Sequence, residues 1–164
     1  MIGIEYAKSL IDIHPDIEKC MEEFKIFSSF YDTLSPVMKS PGISNNDKHN
    51  IIKESFKNYT DEFIYFIYVV IDNDRFDYVK EIYNEFEKLY NNKFDIASCE
   101  VYNSFKINEK ERKQIINFLD KKLGKKIVLK EIIDESINGI KIISNGSTID
   151  YSLDSRINNI RFSL

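Results

Sequence analysis

Apolar side chains recur at helical spacing through the first half of the chain. Ile4, Ala7, Leu10 and Ile11 form a short stripe that ends at His14-Pro15, because the residue before a proline is pushed out of the helical region. Ile17, Cys20, Met21, Phe24, Phe27, Tyr31 and Leu34 then predict one amphipathic helix from Pro15 to Leu34, with the proline in its first turn. Ser40-Pro41-Gly42 is a break. After it, Ser44 and Asp47 have the spacing of a capping box, and Ile51, Ile52, Ser55, Phe56 and Tyr59 continue as a helix. Thr60 is placed to cap the run EFIYFIYVVI at 62–71, which ends at Asp72-Asn73-Asp74. Phe76, Val79, Tyr83, Phe86 and Tyr90 make the last stripe of this half.

The pattern changes after Asn91-Asn92. Residues 97–105 are rich in strand formers, Asn108 is placed to cap a helix carrying Ile115, Ile116, Leu119 and Leu123, and Gly124 is placed to stop it. Residues 126–133 read as a strand. Gly139 to Ser144 and Ser147 to Tyr151 flank Asn145-Gly146, a strong hairpin signal, and Ser152 is placed to cap a final helix with Leu153, Ile157, Ile160 and Leu164. The fold class expected is α+β: an antiparallel helical bundle, then a small β-α-β-β-α domain.

Charge separates the same two parts. Residues 1–90 carry 10 basic and 17 acidic side chains, net −7, whereas residues 91–164 carry 13 and 10, net +3. An acidic first half disfavours nucleic acid, whose phosphates are bound by Lys and Arg clusters. Nine basic and three acidic residues lie between Lys106 and Lys130, but no aromatic strand signature or arginine-rich run accompanies them, so a solvated helix face is expected. The longest apolar run, at 62–71, is about half the roughly 20 residues needed to span a bilayer. Met1 to Glu5 show no basic n-region, so no secretory signal is expected and a cytoplasmic location is.

The chain offers little chemistry. Cys20 and Cys99 stand far apart, in no metal-binding spacing, and are expected to be small buried hydrophobes. Asp134, Asp150 and Asp154 fall at the ends of strands and in a first helical turn rather than in a ligand set. Asp72-Asn73-Asp74 begins like a calcium loop, but Asp77 stands where the obligatory glycine should be and Tyr83 where the closing glutamate should be. Gly124-Lys125-Lys126 lacks the upstream glycine of a phosphate loop. His14 and His49 sit in no Ser, Cys or Asp arrangement and are expected to be surface or capping histidines. No catalytic residue, cofactor or metal is expected.

The order of features resembles one family, the delta subunit of F-type ATP synthase, called the oligomycin sensitivity-conferring protein in mitochondria. The matching pieces are Tyr6-Ala7-Lys8-Ser9-Leu10, Ser40-Pro41 followed by Lys48, Asn73-Asp74-Arg75, and Asp134-x-Ser136-Ile137-Asn138-Gly139-Ile140 with Ile149-Asp150-Tyr151-Ser152 and Arg156. Where the family has two glycines this chain has Asn138-Gly139, and asparagine is the next-best residue for a positive φ. Turns are therefore expected at Asn138, Gly139, Asn145 and Gly146.

With the resemblance, the expected architecture is an antiparallel six-helix bundle over 1–92 and a small α/β domain over 93–164. The resemblance implies a non-catalytic stator subunit, peripheral on the cytoplasmic face of the bacterial membrane. Its bundle would bind the N-terminal helix of an alpha subunit, and its second domain the C-terminal region of the peripheral-stalk b subunits. The alpha helix would dock between the first helix, through Tyr6, Ser9 and Leu10, and the fifth, through Phe66, Val69 and Val70. Two other readings stand beside it: an RNA-binding helical bundle of the antitermination kind, which predicts a basic first half, and a small enzyme using His14 or His49.

Overall fold

The computed structural model describes residues 2–137, 139–144 and 147–152, with nothing said of the side chains of 147–152. The chain divides into two compact units, residues 1–90 and 91–164.

In the first unit, α1 (Ile2–Ile13) buries Gly3, Ala7 and Leu10. The single helix expected from Pro15 to Leu34 is two: α2 (Ile17–Ser29) and α3 (Tyr31–Met38), broken at Phe30. The apolar stripe continues across the break, but Ser28 and Ser29 donate their hydroxyls to the carbonyls of Lys25 and Ile26 at 2.9 and 2.6 Å, competing with the helical ladder. Asp16 caps α2 by accepting from the Lys19 amide at 3.0 Å. Helix α4 (Asn45–Ser55) has Ser44 at its N-cap, accepting from the Asp47 amide at 3.2 Å. The Asp47 carboxylate takes the Ser44 hydroxyl instead of the Ser44 amide, so the expected box is only half closed.

Helix α5 (Asp61–Asp72) buries Phe63, Ile64, Phe66, Ile67, Val70 and Ile71. A 3-10 turn at Phe76–Tyr78 leads into α6 (Val79–Lys93), which buries Val79, Ile82 and Phe86. The core is largely aromatic. Phe24 sits 5.4 Å from Phe63, 6.1 Å from Phe66, 5.4 Å from Tyr83 and 5.7 Å from Phe86, ring centre to ring centre, mostly edge to face. Cys20 is fully buried in this core, and burial with the nearby Glu23 and Asp16 carboxylates pushes its thiol up to about 12.

The second unit holds β1 (Ile96–Asn103), α7 (Glu109–Leu123), β2 (Lys126–Ile133), β3 (Gly139–Ser144) and β4 (Ser147–Ser152). The sheet order is β2-β1-β3-β4, with β1 parallel to β2 and the other pairs antiparallel. Alternation along β1 buries Ala97, Cys99, Val101 and Asn103, and the first three join Ile107, Leu119 of α7, Leu129 and Ile142 in a second core. A complete capping box stands at Asn108 and Glu111, and Gly124 ends α7 at φ 64°. Gly139 starts β3 at φ 117°. The expected turn residues Asn138, Asn145 and Gly146, and the final helix from Leu153, lie outside the described residues.

Candidate partner-binding groove

Helices α1 and α5 enclose a groove of about 350 Å³ lined by Glu5, Tyr6, Ser9, Ile13, Tyr65, Phe66 and Val69. Both walls follow from helical spacing. Glu5, Ser9 and Ile13 recur every four residues on the side of α1 away from Ala7 and Leu10, and Tyr65 and Val69 do the same on α5. The floor is closed where Tyr6 meets Phe66 edge to face at 6.2 Å. The rim is apolar and open to solvent, with Ile13 51%, Tyr65 64% and Val69 50% exposed.

Of the six residues expected here, the structure brings together Tyr6, Ser9, Phe66 and Val69. Leu10 and Val70 do not line it: both are 0% exposed and belong to the core. Glu5, Ile13 and Tyr65 line it as well. The signal for Ile13 was present in the sequence, since it is an apolar residue lying off the core stripe of α1.

Next to the groove, Tyr65 makes an edge contact with Tyr68, which stacks on His49 at 4.1 Å and 17°. Burial pushes the Tyr68 phenol up. His49 Nε2 lies 3.0 Å from Asp72 Oδ1, an ion pair when the ring is protonated rather than a directed hydrogen bond. Asn45 donates to the same oxygen at 3.0 Å.

The end of the groove is tied by a buried polar chain that the sequence reading missed. His14, expected to be a surface or capping histidine, is 4% exposed. Its Nδ1 accepts from the Asp16 amide at 3.2 Å and its Nε2 lies 2.8 Å from Thr60 Oγ1. Thr60 sits at the N-cap of α5 as expected but spends no side-chain bond on that helix. Its hydroxyl donates to Glu23 Oε2 at 2.7 Å and its amide to Glu23 Oε1 at 2.8 Å. A carboxylate at Glu23, inside the apolar stripe Cys20, Phe24, Phe27, was the available signal, because a buried acid needs donors.

Among the described residues no group of His, Cys, Asp and Glu side chains could hold a metal ion, and no helix is long and apolar enough to cross a membrane. Asp134 instead accepts from the Ser136 amide and hydroxyl at 3.0 and 2.6 Å, which holds its carboxyl below the usual range.

Two separate hydrophobic cores, one in each unit, and a groove with exposed apolar side chains define a two-unit α+β protein. Residues 2–164 match the family described as ATP synthase delta (OSCP) subunit. The chain is 33% identical over 130 residues to ATP synthase subunit delta of Clostridium botulinum strain Langeland, covering 78% of this chain and 73% of that one. It is 25% identical over 163 residues to the same subunit of Caldanaerobacter subterraneus, covering 96% and 92%. A chain in the mitochondrial ATP synthase hexamer of Toxoplasma gondii shares the fold at TM-score 0.72 and 13% identity, over 99% of this chain and 97% of that one. The chain belongs to the ATP synthase delta (OSCP) family. It is a structural stator subunit of the ATP synthase complex and not a catalytic one, which displaces the antitermination and enzyme readings.

Proposed function

We propose that this subunit ties the catalytic head of ATP synthase to its peripheral stalk by two separate contacts. The first domain, read as an antiparallel six-helix bundle over residues 1–92, takes the N-terminal helix of an alpha subunit in the α1/α5 groove. The second domain, read as residues 93–164, binds the C-terminal region of the b subunits. The complex holds the protein peripherally at the cytoplasmic face of the membrane, and the head stays still while the rotor turns.

The observation that carries this reading is the groove itself. An amphipathic helix laid along it sets anchors at i, i+3, i+4 and i+7 against Ile13, Tyr65 and Val69, which are otherwise left in water. A nanomolar contact is worth about 12 kcal/mol, and a few such anchors dominate a figure of that size. Val69→Asp places an unpaired carboxylate at the centre of the contact and costs several kcal/mol of binding, roughly 2 to 4. The test is calorimetric titration of the folded variant with a peptide of the alpha subunit's N-terminus. Binding equal to the parent's refutes the groove assignment.

A further inference from the structure

Alpha-helix docking does not by itself call for the buried chain of His14, Thr60 and Glu23, yet its direction can be read bond by bond. The Asp16 amide donates into His14 Nδ1, so that nitrogen carries no proton. Nε2 therefore holds the ring hydrogen and donates to Thr60 Oγ1, whose own hydrogen goes to Glu23 Oε2. The Thr60 amide fills Glu23 Oε1. Every hydrogen then has one place, and His14 Nε2 also lies 3.9 Å from Glu23 Oε2.

We infer that His14, Thr60 and Glu23 are positioning residues of the groove, a clasp that fixes the end of α1 against the start of α5. The inference rests on the reading of the groove as the docking site. The clasp lies where it can act. His14 follows Ile13, the last groove residue of α1, and Thr60 stands at the cap of the helix that carries Tyr65 and Val69. The other ionisable groups facing it are Asp16, occupied with the Lys19 amide, and Cys20 and Tyr59, both kept protonated by burial and by the Glu23 charge.

The experiment compares the full-length parent, Thr60→Ser, which keeps the hydroxyl, and Thr60→Val, which keeps only the shape. Each is titrated with a synthetic peptide of the alpha subunit's N-terminal helix at about pH 7.5. Thr60→Ser is expected to bind as the parent does, and folded Thr60→Val about tenfold more weakly. A folded Thr60→Val with the parent's affinity overturns the inference. If Thr60→Val does not fold, Glu23→Gln takes its place with the same outcomes. If the parent itself ignores the peptide, the docking reading fails, and the clasp is then decided by the backbone amide resonances of Tyr6, Ser9 and Val69. Shifts in Thr60→Val but not in Thr60→Ser support it, and unmoved resonances overturn it.

Discussion

The amide of Gly3 in the first turn of α1 donates to the carboxylate of Glu81 on α6 at 3.2 Å, and a Cβ on Gly3 would lie 2.6 Å from that same oxygen. One residue thus uses the missing side chain to admit an acid to a helix N-terminus, where a negative charge is favoured by about 0.3 to 1 kcal/mol.

The two residues are therefore coupled. Gly3→Ala alone displaces Glu81, losing the bond, and its gain in helix propensity of about 1 kcal/mol is offset. In a Glu81→Ala background the clash is gone and Gly3→Ala stabilises by roughly that amount. Urea melts of the four proteins measure the coupling, and additive effects would refute it.

Leu10 and Val69 separate stability from binding. Leu10→Ala empties a fully buried site and lowers stability by about 2 to 5 kcal/mol, with the folded fraction keeping its affinity for a groove peptide. Val69→Ala changes stability by less than about 0.5 kcal/mol and weakens the peptide. Thermal melts and titrations of both variants check the pair, and a Val69→Ala protein that melts as early as Leu10→Ala would contradict the assignment.

What was legible followed the same line. The stripes on α1, α4 and α6 are one-sided, and periodicity finds such helices. Helix α5 is apolar nearly all round, so no helical wheel distinguishes Val69 at the surface from Val70 in the core; only packing decides. The break at Phe30 is made by serine hydroxyls on carbonyls, which a hydropathy pattern does not register. Thr60 was correctly placed before a helix, but its hydroxyl is claimed by Glu23, 37 residues away.

Two glycines with positive φ carry different burdens. Gly124 has nothing within 4 Å of where a Cβ would stand, so Gly124→Ala costs about 1 kcal/mol from the backbone alone and Gly124→Asn less. At φ 117° Gly139 lies outside the region asparagine tolerates, and Gly139→Val costs about 1 to 3 kcal/mol. Denaturant midpoints of the three variants give the order, and a Gly139→Val protein as stable as the parent would show that the strand start relaxes freely.

Asp134 makes the pH dependence of the turn after β2 predictable in sign. The Ser136 hydroxyl and then its amide lower the carboxyl below its ordinary 3.8, so the ionised form favours the folded chain. That contribution is complete above about pH 4 to 5 and is lost as pH falls through the lowered value. Ser136→Ala raises the midpoint toward 3.8, read by NMR titration of the carboxyl carbon. An unchanged midpoint would remove the hydroxyl from the account.

The sheet order β2-β1-β3-β4 also governs how the protein can be made. Strand β1 leaves the ribosome before either of its neighbours, so both its edges stay unpaired until residues 126–144 have been synthesised. The first ninety residues have by then emerged with a core of their own. A translation product released between Asn103 and Lys126 therefore carries the complete core of the first unit and a sticky strand presenting Ala97, Cys99 and Val101. Synthesis rate across α7 then sets how long each new copy is exposed to aggregation.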